Sequence, residues 1–117
     1  MIDVEDVILQ RIDLLEEDEP ELETDYELIA PDNYGVISVL TAEGIVGAEF
    51  IESDISWGRN DAVEEYNEAA RDGLYVVVIV PNDAYFEALH RISRRGKGNI
   101  EVYSYESLGI LSTPMAG

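Results

Sequence analysis

The chain has no cysteine and one histidine. Without thiols it can form neither a disulfide nor a thiolate-bound metal site. A zinc centre would then need carboxylates almost alone, which is not how zinc is usually held. Long apolar runs are missing too. Nothing approaches the ~20 residues of a membrane-spanning helix, and the N-terminus lacks the basic-then-apolar pattern of a secretory signal. The expectation is a cytoplasmic protein without a membrane partner. Also absent are a phosphate-cradling glycine loop, a Ser/His/Asp pattern and a dinucleotide fingerprint.

Cations are scarce: seven Lys and Arg, with Lys97 the one lysine, stand against 26 Asp and Glu for a net charge of −19. Such a surface repels nucleic acid at long range, because phosphate binding depends on cation-driven counterion release. Three readings account for it: adaptation to strong salt screening, a basic partner or nucleic-acid mimicry, and simple solubility. The few cations are not evenly spread. Arg91, Arg94, Arg95 and Lys97 lie within seven residues, leaving Arg11, Arg59 and Arg71 for the rest of the chain. Residues 16–25 carry seven acids in ten positions, which predicts a solvated connector.

What remains is an ordinary globular mixture, 46% hydrophobic over 117 residues, enough for one core without staples. Val4, Val7, Ile8, Ile12 and Leu15 recur at helical spacing, and Pro20 follows as a terminator. Tyr26 to Ala30 suits a strand, and Pro31-Asp32-Asn33 has turn chemistry. Residues 34–40 and 45–52 read as strands joined by a short connection at 41–44. A helix is predicted from Asn60, as cap, to Arg71. The run Leu74 to Val80 is continuously apolar and β-branched, as in a strand buried on both faces. Asn82 is the expected cap of a helix over 83–95 that packs through Tyr85, Phe86, Leu89 and Ile92. A last strand runs from Ile100 to Tyr105.

The fold class is therefore α/β with a mixed central sheet, in the order α-β-β-β-α-β-α-β. One domain covers residues 1–111, and 112–117 form a C-terminal tail.

Two acids stand out in this order. Pro31-Asp32 precedes the strand pair, and Glu49 interrupts the third strand after 16 intervening residues. This arrangement resembles the PD-(D/E)XK, or restriction-endonuclease-like, nuclease superfamily, in which a Pro-Asp precedes Glu-x-Lys. The resemblance spans about residues 4–105 and implies a restriction-endonuclease-like core. It also implies that Asp32 and Glu49 are ligands of Mg²⁺, a cation that takes oxygen donors and keeps several waters. The bound metal would activate water and neutralise charge on the phosphate under attack. The Lys position holds Ile51, which can perform none of the duties of an ammonium group. Losing such a group typically costs ~10²–10⁴-fold in rate where proton transfer is at stake.

Each candidate also has a plainer reading. Asp32 suits a turn whose side chain bonds nearby amides. By two-residue alternation Glu49 shares its strand face with Ile45, Gly47 and Ile51, so its carboxylate needs a metal, an Arg or a solvent edge. Arg91, Arg94, Arg95 and Lys97 either offset a helix macrodipole or contact an anion or a partner, including a second copy. His90 reads as a surface residue and Trp57 as a loop anchor. The implied function is a binding or assembly module on a catalytically degenerate nuclease scaffold. The alternatives are a divergent Mg²⁺-dependent DNA nuclease, with Arg59 replacing the Lys, and an acidic decoy for a nucleic-acid-binding protein.

Overall fold

The computed structural model describes residues 1–114. The elements are α1 (Val4–Asp18), β1 (Glu23–Ile29), β2 (Tyr34–Thr41), β3 (Gly44–Ile51), α2 (Ala62–Arg71), β4 (Tyr75–Val80), α3 (Tyr85–Arg95) and β5 (Ile100–Ser104), with short 3-10 turns between some of them. All five strands form one mixed sheet in the order β1-β2-β3-β4-β5. The first three are antiparallel neighbours, because short connections allow direct return. β3, β4 and β5 run parallel, each joined to the next by a helix.

Two cores sandwich the sheet. On one face α1 lies against β1, β2 and β3, and Val4, Val7 and Ile8 pack with Ile37, Val39, Ile51, Val77, Ile79 and Tyr105. On the other face α2 stands over β4 and α3 over β5. There Val63, Tyr66, Ala88 and Ile92 meet Ala48, Phe50, Val76, Val78 and Val102. β4 contributes to both cores, which is why its run is apolar at every position. Among the described residues no helix is long and apolar enough to cross a membrane.

Several local expectations change. The acidic stretch 16–25 is mostly regular structure: Glu16 to Asp18 end α1, and Glu23 to Asp25 begin β1. A terminal helical turn and an edge strand both leave side chains in water, so acids are tolerated in either. Asn82 does not cap α3. A 3-10 turn over Asn82–Ala84 precedes the helix, and the Asn82 side-chain Oδ1 accepts from Glu106 N at 2.8 Å.

The phase of α3 differs as well. Ala84, Ala88 and Ile92 face the sheet, whereas Phe86 is 80% exposed and Leu89 also points outward. Small residues let this helix approach the sheet closely; Tyr85 and Ile92 pack against the core as expected, and Phe86 and Leu89 are left outside. In β3 the register slips opposite Val39 and Leu40, so Leu40 faces Ile45 and Val39 faces Gly47. The extra residue, Val46, packs on the α1 side. The bulge therefore turns Ile45 away from the face that holds Glu49.

Residues 112–114, read from the sequence as the start of a tail, run beside the N-terminus. Thr113 O accepts from Asp3 N at 2.9 Å, and Pro114 bridges Ile2. The remainder of that tail, 115–117, lies outside the described residues.

Candidate functional site

Glu49 sits in the middle of β3 on the α1 face, opposite Ile37 on β2 and Val77 on β4. Its side chain is 2% exposed and it is met by Arg11 from α1. Arg11 Nε donates to Oε1 at 2.7 Å and Nη2 donates to Oε2 at 3.1 Å. This is a forked pairing in which both carboxylate oxygens are engaged by a planar, permanently charged group. Ile51, two residues on, is wholly buried in the α1-side core.

Asp32 lies elsewhere. It ends a 3-10 turn over Ala30–Asp32 and is exposed. The turn chemistry belongs instead to its neighbour Asn33, which takes a left-handed φ of 54°. Asn33 Nδ2 donates to Ile2 O at 3.1 Å. The register sets Asp32 and Glu49 at different levels of the sheet. Glu49 is level with Ile37, three residues or ~10 Å along β2 from Tyr34, and Asp32 lies past that strand end. Among the described residues no three His, Asp or Glu side chains are grouped for a metal.

Arg59, named as a replacement for the missing Lys, is on the other side of the sheet from Glu49. It is held by a second buried carboxylate that sequence reasoning missed, Glu52, which follows β3 and is fully buried. Arg59 Nη1, Tyr66 Oη and Ser56 Oγ all donate to Glu52, the last at 2.7 Å. Arg59 Nη2 also donates to Glu65 Oε2 at 2.9 Å, and the guanidinium lies 3.5 Å from the Tyr34 ring centroid. Tyr34 Oη donates to Glu65 Oε1 at 2.7 Å.

Burial raises the Glu52 carboxyl above the usual range, against the opposing pull of Arg59 and its other donors. Burial also pushes the Tyr34 phenol up to about 12, aided by Glu65. Burial and then Glu52 push Tyr66 well above the ordinary tyrosine value. The network clamps the β3–α2 loop: Glu52 N donates to Ile79 O at 2.9 Å, and Tyr105 Oη donates to Glu52 O. Its only sequence signal is an acid one residue past an apolar strand.

The remaining candidates cluster on α3. Arg91, Arg94 and Arg95 line an open cleft of about 570 Å³ together with Trp57, Phe86, His90 and one acid, Glu87. Arg91 Nη1 donates to Gly58 O at 3.0 Å, and its guanidinium is 5.5 Å from the Trp57 ring centroid. Trp57 is half-buried against the α2–α3 core, so it anchors its loop while presenting an edge to the cleft. Lys97 turns to a neighbouring cleft that it shares with Arg71.

Among the described residues the ion pairs run from Arg11 to Glu49 and from Arg59 to Glu52, Asp61 and Glu65. None involves Arg91, Arg94, Arg95 or Lys97. Two cations are thus consumed by buried carboxylates, while the α3 group faces solvent without an acidic partner. Comparison with protein-family models, curated proteins and solved structures finds no match to this chain.

Proposed function

We propose that this chain is a binding or assembly module on a scaffold resembling a catalytically degenerate PD-(D/E)XK nuclease, with the outer face of α3 as its contact surface. One observation carries the reading. In a chain with 26 acids, three arginines share a cleft with an exposed Phe86 and form no ion pair, although Glu87 lines the same cleft. Offsetting the α3 macrodipole needs only the last-turn pair Arg94 and Arg95. An exposed aromatic sharing a cleft with several arginines has the composition of a contact surface. The engagement of Glu49 by Arg11 and the burial of Ile51 favour a scaffold without nuclease chemistry.

The test is binding of an anionic polymer, poly-L-glutamate, at graded salt. The wild-type chain should bind it, more weakly as salt rises, and Arg94→Glu/Arg95→Glu should reduce affinity at least tenfold. Equal binding by the two proteins would refute the assignment of α3. Both side chains are exposed, so the variant should keep its fold.

A further inference from the structure

The sheet face opposite α1 is covered over β4 and β5 but opens to solvent toward β1. Cross-strand rows on that face read Glu23, Leu40, Ile45; then Asp25, Ser38, Ala48; then Glu27, Val36, Phe50. Glu23, Asp25 and Glu27 are exposed along the edge, Val36, Ser38 and Leu40 are partly so, and Ile45 is 55% exposed. This is half of a layered packing, an apolar strip bordered by a row of acids with no helix upon it. The outer face of α3 is its complement, with Phe86 apolar and three arginines against a single acid, Glu87, in the same cleft.

We propose that α3 of one copy docks on the open β1–β2 face of a second copy, joining copies head to tail. The inference rests on α3 being the contact face and names what that face contacts. Spacing agrees as well as charge. Alternate residues of β1 place the acids ~6.8 Å apart, and Arg91 and Arg95, one helical turn apart, are separated by ~6 Å. The two surfaces cannot meet within one chain. β1 and β5 are the two edges of the sheet, four strand spacings or ~19 Å apart, and α3 lies over β5. The contact therefore uses different patches on the two copies. Such heterologous contacts propagate or close into a ring rather than stopping at a two-fold dimer. At 0.15 M salt the Debye length is ~8 Å, so the facing rows attract while the distant acids of the two bodies are screened.

A complementation experiment tests this by sedimentation at 0.15 M salt. The wild-type chain should associate beyond the monomer as its concentration rises. Arg94→Glu/Arg95→Glu removes the cationic patch but keeps the acidic face, and Asp25→Lys/Glu27→Lys does the reverse. Each variant alone should be monomeric, and an equimolar mixture should associate again, because the native α3 of one variant meets the native acidic face of the other and the two reversed surfaces are also opposite in charge. All four side chains are exposed, and circular dichroism of each variant checks folding. A monomeric wild-type chain, or a mixture that stays monomeric although both variants are folded, overturns the inference. If the monomeric wild-type chain still binds poly-L-glutamate through Arg94 and Arg95, self-docking falls and the contact face stands. Binding of a single-stranded oligonucleotide there instead would make nucleic acid the occupant. If neither polymer binds and the chain is monomeric, both readings fall.

Discussion

Replacing Arg11 by Met removes the guanidinium while keeping most of the stem that covers the β3 surface. Glu49 then holds a charge at a nearly inaccessible position with no cation to face it. Breaking one side of a buried pair costs about 3–5 kcal/mol, because the surviving charge is neither hydrated nor paired. For a chain of 117 residues the unfolding entropy near the midpoint is roughly 0.25 kcal/mol per degree, so Tm should fall by roughly 12–20 °C. That is a large share of the ~5–15 kcal/mol that stabilises a domain. The second variant, Arg11→Met/Glu49→Leu, removes both charges and should return most of the loss, since an apolar pair of similar volume is often neutral or better. Urea and thermal melts of wild type, both single variants and the double variant complete the cycle. A loss under ~1 kcal/mol for Arg11→Met would mean that the pair behaves like an exposed one. A double variant as unstable as Arg11→Met would show that the guanidinium supports something other than Glu49. Either result refutes the structural role given to this pair.

Three other outcomes are expected. Incubation with Mg²⁺ and single-stranded, duplex or branched DNA should give no cleavage, and cleavage that disappears in Glu49→Ala would restore the nuclease alternative. At alkaline pH stability should fall. The folded Tyr34 phenol is raised to about 12 from an ordinary value of 10.0. Its contribution is therefore complete below pH 10 and is lost as pH rises toward 12. Tyr34→Phe should flatten that slope, and an unchanged alkaline transition would argue against the Tyr34–Glu65 contact. The excess of acids should make Tm rise with added salt, because repulsion reaching ~30 Å at 0.01 M salt shrinks to ~3 Å at 1 M. A Tm indifferent to salt would remove screening as the explanation of the charge.

Local pattern determined a good deal about this protein. The all-apolar run 74–80 could only be a strand covered on both sides, and the structure places it between two cores. The short 41–44 connection required 34–40 and 45–52 to pair directly, and they do. The crowding of cations at 91–97 was visible as composition. These features are legible because periodicity, turn length and charge are properties of neighbouring residues. The partner of Glu49 was not legible, since Arg11 is 38 residues away and meets it only because α1 crosses that face of the sheet. Nor was the orientation of α3, where reading the largest residues as the buried ones put Phe86 inside. Close approach to the sheet favoured Ala84 and Ala88 instead. The open face of β1 and β2 has no sequence signature either. It exists because two helices cover only part of a five-stranded sheet, and which strands they leave bare is decided by packing across the whole chain.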